Sequence, residues 1–186
     1  TSATTAEMIK LMENTYRDVN IAIANEFSRL AERFGIDVWE AIRIANLHPR
    51  VRILNPGPGV GGHCISVDPW FLVEAAPDIT PLILAARQVN DGQPHFVVSL
   101  IRQLFHDKLR GKRVTCLGLS YKPDVDDLRE SPAVEVAELL SHAGCAVTAF
   151  EPFKITAKFQ TFDTAPSLEK AVSRSQLIVL LVAHAQ

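Results

Sequence analysis

The sequence has few cysteines, no large charge imbalance and no long apolar run. Its three cysteines, Cys64, Cys116 and Cys145, are widely spaced, which argues against a disulfide framework and predicts a reducing, cytoplasmic compartment. The 19 basic and 21 acidic side chains nearly cancel, so we expect no nucleic acid or membrane partner. The longest apolar run, 177–183, is far shorter than the roughly 20 residues that span a bilayer. Residues 1–6 lack the features of a secretory signal, and we expect none.

What the chain does contain is a long helical pattern at its start. Apolar residues recur every three or four positions over 4–34, with Thr4 or Thr5 as the N-cap and Gly35 at the end. At 1.5 Å per residue such a helix is about 45 Å long, more than a small domain needs. We therefore expect it to join domains or to pack against a copy of itself.

Helical and alternating patterns follow along the chain and divide it near residue 110. Further helices are predicted over 38–47 (capped by Asp37), 68–75 (capped by Asp68) and 81 to about 109. Strands are then predicted over 113–119, 146–150 and 177–182, with helices over 132–143 and 167–173 between them. The predicted fold class is α/β: an all-helical domain over 1–110, then a partial Rossmann-like parallel-sheet domain over 111–186. Three strands make a thin sheet, so we expect the chain to be part of a longer protein.

A glycine- and proline-rich stretch, 48–64, interrupts the helical part. Its three prolines and four glycines predict a long irregular loop, and such loops are often functional. The string Gly57-x-Gly59-x-x-Gly62 matches the dinucleotide fingerprint, but it neither follows a strand nor opens a helix. We favour another use, in which the glycines let backbone N–H groups approach phosphate oxygens closely.

Cys64 directly follows this loop and allows two interpretations. It is either a structural thiol or a nucleophile surrounded by backbone amides, with Asp68 four residues on. Cys116 and Cys145 fall in or beside predicted strands and are expected in the core. His63 is a candidate activator of Cys64, although adjacent side chains on extended backbone point apart, so ligand binding or packing stays open. A cysteine hydrolase using Cys64, His63 and Asp68 is a weaker alternative, because the spacing supplies no well-placed base.

Several polar side chains are candidates for ligand contact or for plain solvation. Lys10 and Asn14 lie four residues apart and so share one helix face. Lys122 follows the first predicted strand, and ligands bind at that end of the strands in open α/β sheets. Arg129, before the next helix, and Arg50, in the long loop, are equally open to both interpretations.

Taken together, these motifs resemble the family of NAD-dependent nucleotide-sugar 6-dehydrogenases, which act on UDP-glucose, GDP-mannose or UDP-N-acetylhexosamines. The motifs that carry the resemblance are, in chain order, Ala6-Glu7-x-x-Lys10-x-x-x-Asn14, Asn25-Glu26, Cys64-x-x-x-Asp68, Val89-Asn90, Gly118-x-x-Tyr121-Lys122 and Arg129-Glu130-Ser131-Pro132. Residues 59–71 are most similar to the branch that oxidises UDP-N-acetyl-D-mannosamine. The UDP-N-acetylglucosamine branch, which also has His before the Cys, is the alternative, whereas UDP-glucose dehydrogenases have Ser at the position of His63.

The resemblance implies a three-domain protein of which this chain holds two parts. Residues 1–110 correspond to a central dimerisation domain and 111–186 to a shortened UDP-binding domain, while the N-terminal NAD-binding domain is absent. The implied cofactor is NAD, with no metal, and the implied partners are a UDP-N-acetylhexosamine and a second copy bound through the long helix. The implied product is a uronic acid for surface polysaccharide synthesis. We expect this chain alone to be inactive; a non-catalytic dimerisation and UDP-binding module is the competing interpretation.

The resemblance also implies a role for each candidate residue. Cys64 attacks an aldehyde formed by a first hydride transfer, and a second transfer gives a thioester that water hydrolyses. Lys10 and Asn14 face the developing oxyanion, and Asp68 acts as general base. The remaining implied contacts are Gly61, Gly62, His63 and Lys122 to the substrate, Arg50 to a neighbouring subunit's sugar, and Arg129 to the cofactor.

Overall fold

The computed structural model describes residues 2–185 and divides into two units, one ending at Gln93 and the other beginning at Pro94. The helices of the first unit are α1 (Ala3–Phe34), α2 (Val38–Ala45), α3 (Asp68–Ala75) and α4 (Pro81–Asp91). The second contains α5 (Gln93–Leu104, all but its first residue), β1 (Arg113–Leu117), α6 (Pro132–His142), β2 (Ala146–Phe150), a 3-10 helix (Pro152–Lys154), β3 (Asp163–Thr164), α7 (Leu168–Val172) and β4 (Leu177–Leu180). The predicted fold class, helices followed by a parallel-sheet α/β part, is confirmed.

The helix predicted over 81 to about 109 is in fact two helices. Pro94 has no N–H to continue an α-helical ladder, and α4 ends at Asp91, with Gly92 as its C-cap. Val98 and Ile101 of α5 are buried in the same apolar cluster as Val114 of β1. The division between the units therefore falls at Gln93 and not near residue 110, because α5 packs with the sheet.

The first helix begins one residue earlier than predicted and has a different cap. Ser2, and not Thr4 or Thr5, is the N-cap of α1: its Oγ accepts the N–H of Thr5 at 3.1 Å. The two threonines already lie within the first helical turn. At the other end Gly35 adopts φ 67° and donates its N–H to the last turn, as the sequence predicts.

The buried and exposed faces of α1 carry the reverse of the usual side chains. Its buried face carries small and polar side chains, namely Asn14, Thr15, Asp18, Ala22, Ala24, Asn25 and Ala31. Large apolar side chains lie exposed on its surface: Met8, Met12, Tyr16, Ile23, Phe27, Leu30 and Phe34. We call this set the α1 apolar face. The apolar periodicity that identified the helix therefore includes side chains that the first unit itself does not bury.

The sheet of the second unit has four parallel strands in the order β3-β2-β1-β4. The sequence predicted three; β3 was missed because two residues carry no readable alternation. The core beside the sheet is apolar, with Leu119, Val136 and Leu140 fully buried. Because the strands are parallel, the segments after β1, β2 and β4 all lie at the same edge of the sheet.

No helix within residues 2–185 is both long and apolar enough to cross a membrane. Within the same residues, His, Cys, Asp and Glu side chains form no group of three or more suited to hold a metal ion.

Candidate active site

The glycine-rich loop of the first unit is irregular, as predicted, and side-chain amides hold it in place. Asn46 binds Ile53 twice, accepting its N–H at 2.7 Å and donating to its carbonyl at 2.9 Å. Further along, the N–H of Gly57 donates to Oδ1 of Asn25 at 2.9 Å. The loop is thus attached both to the end of α2 and to the buried face of α1.

Behind the loop, a buried polar network joins α1 to α4. Asn25 donates to Oδ1 of Asn90 at 2.9 Å, and Asn90 donates to Oδ1 of Asp18 at 2.8 Å. The guanidinium of Arg87 donates to the same oxygen at 2.5 Å. All four side chains are buried. The network therefore connects the loop backbone to an ion pair in the interior.

Sequence reasoning assigned no role to these network residues, although Asn25 and Asn90 lie in the motifs that carry the resemblance. A usable signal was present: Asn14, Asp18 and Asn25 are spaced by four and seven residues, which places three polar side chains on one face of α1. The spacing shows that these three side chains can act together, but it does not show whether their face of α1 is turned inward.

The structure brings two of the predicted catalytic residues, Asn14 and Asp68, into direct contact. The amide of Asn14 donates to Oδ2 of Asp68 at 2.5 Å, across 54 residues of sequence. Asp68 is the first residue of α3 and not its N-cap, because Cys64 provides the preceding turn: the Cys64 carbonyl accepts the N–H of Asp68 at 2.8 Å. The carboxylate is half-buried and its Oδ2 binds Asn14, while Cys64 lies one turn before it with an exposed side chain.

The two glycines before Cys64 are buried, whereas His63 is exposed. Gly62 has φ 85°, a left-handed conformation that only glycine adopts without strain, and its carbonyl accepts the hydroxyl of Ser66. The backbone turn that presents Cys64 therefore depends on the residue at position 62.

Lys10 and Arg50 lie on the surface of the first unit. Lys10 is one turn before Asn14 and its Nζ is 3.6 Å from the carboxylate of Glu13, with both side chains 64% exposed. Arg50 is exposed in the loop, and its N–H donates to Nδ1 of His48 at 3.2 Å. Neither position is contacted by Cys64 or Asp68 through any hydrogen bond or ion pair among the described residues.

In the second unit, Lys122 lies in the loop after β1, at the carboxyl edge of the sheet. Its Nζ is exposed, 5.5 Å from the ring centroid of Tyr121. The loop begins at Gly118, which has φ 79° and where a Cβ atom would lie 2.3 Å from the carbonyl oxygen of Val182. Glycine is required here because the segment after β4 passes directly over this backbone.

Arg129 lies in an open pocket of about 530 Å³ lined by Asp126, Asp127, Leu128, Arg129 and Lys154. Two of its nitrogens form a fork with Asp127, Nε to Oδ1 at 3.0 Å and Nη2 to Oδ2 at 2.7 Å. The carboxylate of Asp127 fixes the plane of the guanidinium.

Cys64 differs from the other two cysteines in its accessibility. Cys116 and Cys145 are buried in the second unit, as predicted, and desolvation raises the pKa of Cys116 to about 12. A thiol with so high a pKa does not form the thiolate that reacts as a nucleophile. Among the cysteines, only Cys64 is exposed.

Two family models match this chain, and both describe domains of the same protein family. The model of the UDP-glucose/GDP-mannose dehydrogenase family, central domain, matches residues 4–92. The model of the same family's UDP binding domain matches residues 115–186. The two matches fall within the two units of the structure.

Individual relatives are similar over the whole chain. A UDP-N-acetyl-D-mannosamine dehydrogenase of Methanocaldococcus jannaschii is 51% identical over 99% of this chain and 42% of its own length. An NDP-N-acetyl-D-galactosaminuronic acid dehydrogenase of Ralstonia nicotianae is 47% identical over 100% of this chain and 44% of its own. The structure of a UDP-D-ManNAc dehydrogenase from Pyrococcus horikoshii superposes with a TM-score of 0.89 at 43% identity, covering 100% and 43%. The chain thus spans less than half the length of these relatives.

Proposed function

We propose, from the premise that this chain belongs to the UDP-glucose/GDP-mannose dehydrogenase family, that it carries the catalytic cysteine and the nucleotide-binding part of a cytoplasmic UDP-sugar dehydrogenase. The proposed substrate is UDP-N-acetyl-D-mannosamine, whose C6 alcohol is oxidised to a carboxylate used in surface polysaccharide synthesis. The observation that carries the proposal is the Asn14–Asp68 hydrogen bond one turn from the exposed thiol of Cys64.

Cys64 is the proposed nucleophile. Its thiolate sulfur forms a bond to the carbonyl carbon of a C6 aldehyde, and the carbonyl oxygen takes up a proton to give a thiohemiacetal. The carbon of that adduct carries both a hydrogen and a hydroxyl, so it can be oxidised to a thioester. The carbonyl carbon of the free aldehyde carries no hydroxyl and cannot be oxidised in this way. The exposed side chain and the left-handed turn at Gly62 support access of a sugar to the sulfur.

Asp68 and Asn14 are proposed to act on the thioester. A water molecule that loses its proton to Asp68 attacks the thioester carbon, and the thiolate of Cys64 leaves. The Asn14 amide orients the carboxylate through its hydrogen bond. Lys10, on the same face of α1 as Asn14, is proposed to swing from Glu13 toward the negative oxygen of the tetrahedral intermediate.

Substrate contacts are proposed in both units. The backbone N–H groups of Gly61 and Gly62 and the His63 ring are assigned to the sugar, and Arg50 to the sugar of a neighbouring subunit. Lys122 is assigned to the UDP portion, since it lies at the carboxyl edge of a parallel sheet. The names of the relatives contain different sugars, so the assignment is firmest for N-acetylhexosamines as a class. UDP-N-acetylglucosamine is the alternative substrate.

NAD+ is the proposed hydride acceptor, but residues 2–185 do not fit it as a cradle. The Gly57-x-Gly59-x-x-Gly62 string is an irregular loop whose Gly57 N–H is already bound to Asn25. The amides after β1 are bound to Glu151. Arg129, fixed by Asp127, is the cofactor contact that we assign to this chain. We therefore expect the 186-residue chain to bind UDP without reducing NAD+.

The α1 apolar face is proposed to be the contact between two copies of this chain. Its members run along a 32-residue helix and are 40–70% exposed, which is a large apolar surface for one unit to leave in water. The competing interpretation, a dimerisation and UDP-binding module, shares this contact and gives no catalytic role to Cys64, Asp68, Asn14 or Lys10.

The test uses the dehydrogenase that combines this chain with the proposed NAD-binding domain. Cys64→Ala should form no carboxylate, whereas Asp68→Asn should accumulate a covalent adduct on Cys64 and turn over about 10²–10⁴-fold more slowly, the loss of a general base. Intact-protein mass spectrometry with product analysis measures both. Carboxylate formed by Cys64→Ala at the wild-type rate would remove the covalent mechanism. Wild-type enzyme without any NADH production would favour the non-catalytic module.

A further inference from the structure

A buried carboxylate, that of Glu151 after β2, binds the loop that follows β1. Its Oε2 accepts the N–H of Leu119 at 2.7 Å and of Ser120 at 2.9 Å. Its Oε1 accepts the N–H of Phe153 at 3.0 Å, and the side chain is only 2% exposed. Successive backbone N–H groups of this kind form a concavity for anions. Here the anion is one of the chain's own side chains.

The ionised form of Glu151 is the one that this site favours. Burial acts to raise the pKa of Glu151, but the backbone N–H groups of Leu119, Phe153 and Ser120 outweigh it and hold the pKa below its usual value. The carboxylate therefore stays charged at neutral pH and keeps the beginning of the loop in position.

The imidazole of His184, after β4, joins this carboxylate to the far end of the same loop. Its Nε2 lies 3.1 Å from Oε2 of Glu151, and its Nδ1 accepts the backbone N–H of Asp124 at 3.0 Å. Because Nδ1 accepts, we assign the proton of the neutral ring to Nε2, which donates to Glu151. The ring is 5% exposed and packs on Phe153, with centroids 5.0 Å apart.

Asp124 is held from two sides in the left-handed region. Its φ is 60°, in the left-handed region where residues other than glycine are uncommon. Its N–H donates to His184, and its Oδ1 accepts the N–H of Ala185 at 2.8 Å. Residues 121–123 lie between Asp124 and Ser120, whose N–H binds Glu151, and Lys122 is the middle one of these three.

We infer that Glu151 and His184 are positioning residues that hold residues 119–124, the Lys122 loop, between the ends of β2 and β4. The inference rests on the proposed contact between Lys122 and the nucleotide, since that contact gives the held loop its function.

The charged groups beside the ring are the carboxylates of Glu151 and Asp124. Oδ1 of Asp124 lies 3.9 Å from Nδ1. The ring therefore contacts both the carboxylate that holds the beginning of the Lys122 loop and the backbone of the loop's last residue.

Two matched variants separate the two contacts of His184. His184→Asn retains an acceptor near the position of Nδ1 and loses the donor to Glu151. His184→Gln retains a donor near the position of Nε2 and loses the acceptor for Asp124. Amide hydrogen exchange of the 186-residue chain, resolved by NMR, should accelerate about tenfold at Asp124 in His184→Gln, the effect of one lost hydrogen bond. His184→Asn should leave that amide within about threefold of wild type.

UDP affinity, measured by calorimetry, distinguishes this inference from the proposed function. If both hold, Lys122→Ala weakens UDP binding by about tenfold and His184→Gln weakens it by a smaller factor at pH 8. If Lys122→Ala binds UDP as tightly as the wild type, Lys122 does not contact the nucleotide. The exchange results then test the positioning roles of Glu151 and His184 by themselves. If the Asp124 amide exchanges at the same rate in His184→Gln and in the wild type, the inference is overturned even if Lys122 binds UDP.

Discussion

The two units bury different chemistry. The interior of the second unit is mainly an apolar cluster that includes Val114, Val136 and Leu140, and the buried carboxylate of Glu151 lies after β2. The interior of the first unit, between α1 and α4, contains the ion pair of Arg87 with Asp18 and the amides of Asn25 and Asn90. Polar atoms of this first interior, Thr15 Oγ1, Asp18 Oδ2 and Arg87 Nε, are buried without a partner in the described residues.

The contrast shows what stabilises each unit. Apolar burial is not directional and tolerates small shifts, so the second unit is expected to be stable by itself. The first unit depends on hydrogen-bond geometry inside and exposes the α1 apolar face outside. A unit built in this way gains its apolar stabilisation by covering that face, which is why we propose the contact with a second copy.

The largest expected effect comes from breaking α1 itself. Ala24→Pro introduces a proline at a fully buried position inside the helix and should cost about 3 kcal/mol or more, unfolding the first unit and dissociating the proposed pair of copies. Phe27→Glu changes a member of the α1 apolar face, 40% exposed, and should dissociate the pair without unfolding. Sedimentation measures association, and the fluorescence of Trp39 and Trp70, the chain's two tryptophans, follows the first unit. A monomeric wild type at micromolar concentration would contradict the proposed contact.

The next effect concerns the buried ion pair. Arg87→Met leaves the Asp18 carboxylate buried without its cation and should lower the free energy of unfolding by about 3–5 kcal/mol, measured by urea and tryptophan fluorescence. The double variant Asp18→Asn with Arg87→Met removes both charges and should recover a large part of that loss. Leu140→Ala, in the apolar core of the second unit, is the matched control and should leave the tryptophan transition in place. Equal losses in the single and double variants would show that the charge is not the cause.

The smallest effect is a pH dependence confined to the second unit. The pKa of Glu151 is lower in the folded than in the unfolded chain, so its ionised form stabilises the fold above the unfolded pKa of about 4.3, and this contribution is lost as pH falls through the folded value. Glu151→Gln should therefore reduce the acid sensitivity of the second unit, followed by hydrogen exchange in β1. The fluorescence of the first unit should show the same pH profile in both proteins; a second unit with unchanged acid sensitivity would argue against the assigned role.

Much of the secondary structure was predictable because it depends on residues close in sequence. The cap at Asp37, the proline starts of α4 and α6 and the strand Ala146–Phe150 all follow from local patterns. The errors were also local: Ser2 replaced the threonine caps because helices accept several capping residues within one turn, and β3 is too short to show alternation. The roles assigned to Cys64, Asp68 and the other site residues remain predictions.

By itself, the sequence determined the order of the elements, the irregular loop before Cys64 and the motifs that place the chain in its family, since these depend on neighbours along the chain. Only the tertiary structure decided which face of α1 turns inward, because periodicity identifies a face but not its partner. It also decided that Asn14 reaches Asp68 and that Glu151 and His184 hold the Lys122 loop. Those pairs lie 54 and 33 residues apart, and side chains so distant in sequence meet only where packing of whole elements brings them together.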